Sequence, residues 1–357
     1  MMLCLGCCVS AQQRLPHPLE FVAADSIVVW GGGSSDFRGA ALAADATLRS
    51  HAFLADSAVA ARFAADARRW TEETLPRLNL VGGLGDADAP GQAEGATQVV
   101  AAAAPLLLQT GDSQYADAIE RAVFNALCAA AAAPGSMSFE KHVAAQTLMD
   151  AAGTFYATDS AGVYVNLYLN NSAHIVTPRF DFVLDQMTAM PFDGLVKLRL
   201  TDLGPGRHRL KLRFRMPAWA LGRALPAGAY APDGGELPLP TVYVNGREPL
   251  QQEFEKGYVV IDREWVTGDE VYFVLPVRPV WVRRAGRGAV LSGPLVYALS
   301  GRGDGRQPVA GTALRPASEV NAQGNLVLEA VPSAASAGAD TLRLEPYMDC
   351  AGRVWME

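Results

Sequence analysis

The chain has 357 residues, half of them hydrophobic, and a formal net charge of −7. That length allows two domains with sizeable cores, and that composition excludes a disordered chain. Acidic and basic residues are interspersed, which argues against nucleic acid or an anionic membrane as the main partner. No apolar run reaches bilayer length, so no membrane span is expected.

Met1 to Ala11 is a short apolar run ending in the small residues Val9-Ser10-Ala11. It resembles the end of a secretory signal cleaved after Ala11, which implies a secreted or periplasmic protein. Read instead as an arbitrary apolar start, it leaves the protein cytoplasmic. Cys4, Cys7 and Cys8 crowd this run, and only Cys128 and Cys350 lie in the body.

From Ser34 to Ala152 the pattern is helical. Asp36 to Arg49 is one helix candidate. Ser57 to Arg77 is a stronger one, because Val59, Phe63, Ala67 and Trp70 recur at helical spacing. Leu80 to Glu94 is a glycine-rich loop. No strand precedes it and no Lys-Ser or Lys-Thr follows its glycines, so it reads as close backbone passage and not as a phosphate cradle. Gly95 to Gln109 reads as a buried helix with a kink or break at Pro105. Ser113 is expected to cap a helix over Gln114 to Ala132, which Pro134-Gly135 ends, and His142 to Ala152 makes one more. Helical hairpins in sequence order predict a partial (α/α) toroid over residues 34–155.

At Gly153 to Asn170 the period changes from 3.6 to 2. Val163, Val165, Leu167 and Leu169 alternate with Tyr164, Asn166, Tyr168 and Asn170, which predicts a half-buried strand. Leu195 to Leu200 and His208 to Met216 follow as strands. Arg209, Lys211, Arg213 and Arg215 share one face of the second; this row is either an anion site or, the preferred reading, the solvated face of an antiparallel sheet. Thr241 to Asn245 runs into the hairpin signal Asn245-Gly246, and Tyr258 to Asp262 pairs with Glu270 to Leu275 across Thr267-Gly268-Asp269. Val290 to Leu299 and Thr341 to Leu344 complete the strands. Leu221 to Pro240 and Gly301 to Gly338 read as long loops. Short strands with turn chemistry between them predict an antiparallel β-sandwich over residues 156–357. The fold class is therefore α+β and multidomain.

Several segments together resemble the β-L-arabinofuranosidase family of glycoside hydrolases. They are Thr110 to Asn125, Tyr156-Ala-Thr-Asp with Val163 to Tyr168, Arg213 to Ala220, Val244-Asn-Gly246, Gly257-Tyr258 with Trp265 and Gly268-Asp269, Gly293 to Tyr297, and Arg353-Val-Trp355. Their order matches too. The resemblance implies an (α/α)-barrel followed by β-sandwich domains, an arabinose-containing carbohydrate as partner, and a zinc-held cysteine thiolate as nucleophile with a glutamate as acid/base. Zinc would keep that sulfur deprotonated. This chain departs from the pattern. The family's Cys-Cys pair falls on Phe139-Glu140, and no cysteine lies between Cys128 and Cys350. No metal site or cofactor is therefore expected. Glu94 is the nearest candidate acid/base, and Glu140 with His142 is a candidate pair for proton transfer, or a makeshift metal site with Cys128. Read plainly, Cys128 is a buried thiol and Glu140-Lys141-His142 a solvated helix start. Trp219 and Trp265 offer faces for a sugar ring, or core packing. Two functions follow: an arabinofuranosidase-like glycoside hydrolase, or a non-catalytic carbohydrate-binding or scaffold relative. A partial toroid leaves apolar flanks bare, which predicts association with itself or a partner chain.

Overall fold

A computed structural model describes residues 27–30, 38–39, 64–89, 91–177, 179–224, 229–248, 252–299, 312–331 and 341–356. The first eleven residues, Ser57–Phe63 and most of the Asp36–Arg49 helix candidate lie outside them. Arg38–Gly39, inside that candidate, is extended and paired in a sheet.

Residues 64–69 are helical and continue through a π-helical turn, Trp70–Thr74, into a 3-10 turn, Leu75–Arg77. Helix α1 spans Gln92–Thr110. It is continuous through Pro105, so there is no break there; Pro105 lies on an exposed stripe with Gln98 and Ala101, while Val99, Ala103 and Leu107 are buried. Helix α2 begins as Ser113–Ala122, passes through a π-helical turn at Val123–Leu127, and continues as Cys128–Ala132. Its cap is Asp112 and not Ser113: the Asp112 carboxylate accepts from the Gln114 N–H at 3.0 Å. Helix α3, Phe139–Ala152, starts three residues earlier than its apolar pattern, because Ser138 caps it by accepting from the Lys141 N–H. The Thr97 and Thr147 hydroxyls, 3.1 Å apart, place α1 and α3 side by side.

The strands are β1 (Ile27–Trp30), β2 (Arg38–Gly39), β3 (Tyr156–Thr158), β4 (Gly162–Val165), β5 (Asn171–Val176), β6 (Asp181–Thr188), β7 (Leu195–Thr201), β8 (His208–Arg215), β9 (Ala231–Pro232) and β10 (Tyr243–Val244). They continue as β11 (Glu253–Glu255), β12 (Tyr258–Trp265), β13 (Glu270–Val274), β14 (Pro279–Arg284), β15 (Arg287–Ser292), β16 (Leu295–Leu299), β17 (Ala313–Val320), β18 (Leu326–Val331) and β19 (Leu342–Pro346), followed by a last helical turn α4 (Tyr347–Cys350).

Three sheets result. Their orders are β1-β5-β6-β7-β13-β10, β11-β12-β8-β4-β3-β2, and β17-β18-β19-β16-β15-β14-β9. The first two face each other, as Phe214 of β8 meeting Phe273 of β13 at 5.9 Å shows. Trp265 is buried between them and donates to the Leu210 carbonyl at 3.0 Å, so it is a core residue. The fold is thus α+β with several sheets.

Four expectations need correction. Tyr258–Asp262 and Glu270–Leu275 do not pair with each other: β12 pairs with β8 and β11 in the second sheet and β13 with β7 and β10 in the first, so Thr267-Gly268-Asp269 carries the chain from one sheet to the other. Gly153 to Asn170 is not half-buried: β4 ends at Val165, and Asn166, Leu167 and Tyr168 are all fully enclosed, because the face that alternation assigns to solvent is packed, with Tyr168 against Phe273 of β13 and Asn166 bonded to the Thr154 carbonyl and to Tyr258. Val290 to Leu299 is two strands, β15 and β16, folded back at Gly293-Pro294. The Ala- and Pro-rich stretch after Gly301 contains β17 and β18; β17 is largely exposed, so no period of two marks it.

Candidate functional site

Strand β8 runs from solvent into the seam between the sheets and the helices, and its cations record the passage. Side-chain exposure falls from 68% at Arg209 to 36% at Lys211, 10% at Arg213 and 0% at Arg215. The first two pair with Asp262 and behave as a solvated face. Arg213 pairs with Asp159 at 2.9 Å and lies 4.2 Å over the Tyr164 ring. Arg215 is different in kind. Its Nε donates to the Asn166 carbonyl, and its two terminal nitrogens donate to Asp117 and Glu120 of α2. The row is therefore neither an anion site nor a solvated face along its whole length.

Further hydrogen bonds surround this ion triad. Glu120 also accepts from the Trp219 indole N–H at 2.9 Å, and Asp117 from the Ala218 N–H at 3.2 Å. Tyr168 donates to the Arg215 carbonyl at 2.6 Å, and Tyr258 donates to the Asn166 side chain at 2.8 Å. Burial pushes the Asp117 carboxyl up to about 6 against the pull of Arg215. Burial also acts to lower the Arg215 guanidinium, but Glu120 and Asp117 together outweigh it and hold it above its ordinary value. Taking any one of the three away would leave an uncompensated charge in the seam.

A cleft opens beside this junction. Trp219, Pro232, Leu237, Pro276, Val280 and Leu291 supply its apolar lining, and Arg223, Asp233 and Arg278 its polar rim. Trp219 is half-buried, its N–H committed to Glu120. Sequence reasoning singled out Trp219 and missed the rest. Arg223 follows it closely in an irregular segment, and Arg278 is far from it in sequence, so no period links the three.

The other anticipated residues lie apart. Glu94 is exposed in the first turn of α1, and Glu140 and His142 are exposed at the start of α3. Cys128 is fully buried in α2. Burial pushes its thiol above the ordinary range, with the Asp349 carboxylate adding to the effect. A thiol so placed is neither a nucleophile nor a metal ligand. The makeshift site of Glu140, His142 and Cys128 does not assemble, because the thiol faces the core and the other two face solvent. Among the described residues no three His, Cys, Asp or Glu side chains are placed to hold a metal ion. These residues do not fit a zinc-held thiolate.

Two loops complete the surroundings. The glycine-rich loop presses on α2: a methyl group on Gly82 would lie 2.3 Å from the Ala122 nitrogen, and one on Gly95 would lie 2.6 Å from the Leu84 nitrogen. Close backbone passage is the reason for Gly82, whereas Gly85 and Gly91 have open space around them and stand at positive φ. Asp88 of the same loop accepts from the Val354 N–H at 2.6 Å, which ties down the closing Arg353-Val-Trp355 segment.

Residues 162–277 match the family described as Beta-L-arabinofuranosidase, GH127 middle domain. Among solved structures, a GH127 β-arabinofuranosidase is similar at 23% identity and a TM-score of 0.65, over 78% of this chain and 53% of its own. Ara127N, a GH127 β-L-arabinofuranosidase from Geobacillus stearothermophilus T6, is similar at 19% identity and a TM-score of 0.62, over 84% of this chain and 57% of its own. A structure described as a glycoside hydrolase follows at 20% identity and a TM-score of 0.58, over 77% and 52%. The chain thus spans about half the length of the solved structures it matches. No curated protein matches it. The match of residues 162–277 and the similar solved structures agree with the resemblance read from the sequence.

Proposed function

We propose that this protein is a β-L-arabinofuranosidase-like glycoside hydrolase that acts on arabinose-containing glycans. The match of residues 162–277 to the GH127 middle domain is the observation that supports this reading. In it, α1 to α3 form an arc of an (α/α) toroid, residues 34–155 apart from strand β2 make the helical unit, and 156–357 the β-sandwich unit, which β2 joins. The apolar first eleven residues direct the chain to secretion or the periplasm. Glu94 and Glu140, exposed carboxylates on adjacent helices, are the candidates to move the proton that glycosidic cleavage requires. His142 and Trp219 are the candidates to contact the sugar.

The test is release of arabinose from an aryl β-L-arabinofuranoside, with and without added zinc. Glu140→Gln is expected to reduce the rate by roughly 10²–10⁴-fold, the usual weight of a general acid or base. An unchanged rate in that variant removes Glu140 from the reaction. Binding of the glycan with no turnover in the wild-type protein would move the reading to a non-catalytic carbohydrate-binding relative.

A further inference from the structure

The cleft beside Trp219 holds one charge that the fold does not use. Two of the cations near its rim are neutralised: Arg223 pairs with Glu236 at 3.0 Å, and Arg283 pairs with Asp233 at 3.0 Å. Arg278 is exposed and makes no ion pair or hydrogen bond among the described residues. Counting Arg223, Arg278 and Arg283 against Asp233 and Glu236 leaves a net of one positive charge, on Arg278. Its guanidinium lies against the Gly234 backbone, 3.3 Å from where a side chain there would begin. Glycine at that point leaves the rim low on the arginine's side.

The floor suits a flat, amphipathic ligand. Trp219, Pro276, Val280 and Leu291 offer apolar contact, and Asp233 offers a hydroxyl acceptor beside it. The Trp219 nitrogen is already bonded inward, so what the ring turns to the cleft is carbon. Carbon faces of aromatic rings take the C–H face of a pyranose or furanose. A guanidinium at the edge of such a floor matches a carboxylate, which it binds with two parallel N–H bonds. A phosphate or sulfate alone would use the arginine and leave the apolar floor unused.

We propose that this cleft is a binding subsite for an acidic sugar, with Arg278 taking the carboxylate of a uronic acid residue and Trp219 the ring. The choice of a sugar rests on the glycoside hydrolase reading. The choice of an acidic one rests on Arg278 alone.

The experiment is calorimetric titration of the full chain with methyl glucuronide and with methyl glucoside, which differ only in the carboxylate. The glucuronide is expected to bind about tenfold more tightly, the weight of one charge-assisted pair. That preference should shrink as salt is raised. Arg278→Ala is expected to erase the preference while leaving the melting temperature unchanged, since the side chain is exposed and unpaired. Arg278→Lys should keep part of it, by charge without the planar fork. Equal binding of the two glycosides, or an undiminished preference in Arg278→Ala, overturns the acidic-sugar assignment. Loss of arabinose-releasing activity with the glucuronide preference intact would sink the hydrolase reading and spare this one.

Discussion

Arg215 has no exposed surface, and both of its carboxylate partners, Asp117 and Glu120, are buried with it. Truncating it would strand two charges in a seam that water does not reach. Removing one member of a buried ion network typically costs about 3–5 kcal/mol. Arg215→Ala is therefore expected to lower unfolding free energy by roughly that amount in urea denaturation. Adding Asp117→Asn and Glu120→Gln to it should recover part of the loss, since neutral amides are cheaper to bury unpaired than carboxylates. A triple variant no more stable than the single one would show that packing, and not charge, dominates the seam. The charge of Arg215 was legible in the sequence as the last of an alternating row, but its burial was not. Alternation tells which side of a strand a residue is on. It does not tell what lies across that side, and here α2 lies across only one end of β8.

At the scale of elements, the contacts between layers are made by short irregular segments. Asn125, in the π-helical turn of α2, accepts from the Val296 N–H at 2.8 Å and donates to the Pro294 carbonyl at 3.1 Å, joining the helix to the third sheet. The glycine-rich loop joins the same helix from the other direction, with the Ala126 N–H donating to the Val81 carbonyl at 3.2 Å. Gly82 stands at φ +81° with the α2 backbone against its Cα. Gly82→Ala would combine an unfavourable backbone region with a backbone clash. A loss of about 2–4 kcal/mol is expected, read as a lower urea midpoint at unchanged slope, since strain of this kind is of order 1–3 kcal/mol before the clash is relieved. The same change at Gly85, which has the same hand of backbone but open space around it, should cost less. The close passage at Gly82 was legible from the sequence, because the loop lacked what a phosphate site needs; the open surroundings of Gly85 were not. The π-helical turn was not, since its residues fit an ordinary helix equally well.

For the molecule as a whole, the segments that carried the family likeness turn out to be its seams. Thr110 to Asn125 and Arg213 to Ala220 are the two sides of the Arg215 junction, Gly293 to Tyr297 holds Asn125, and Arg353 to Trp355 sits on Asp88. That is why the likeness was readable while β17 and β18, which make few such contacts, were missed. Among the described residues one face has no seam. Met137, Phe139 and Met149 are 75%, 84% and 62% exposed at and along α3, and the outer stripe of α1 is bare beside it. Apolar surface of this kind commonly marks an interface. The chain is expected to associate through this face, and light scattering should give a mass above that of one copy at micromolar concentration. Phe139→Ser with Met149→Ser should return the single-chain mass. A monomer in the wild-type protein would refute the expectation.

The pairing of β1 and β2 has a consequence for how the molecule is made. β1 lies parallel to β5 at one border of the first sheet, and β2 lies against β3 at a border of the second. Ile27 meets Ala173 and Arg38 meets Thr158, so both strands leave the ribosome more than a hundred residues before their neighbours exist. They must wait, and then close two borders together in a late step of long sequence separation, which topology makes slow. A nascent chain stalled before residue 150 would have no place to put them.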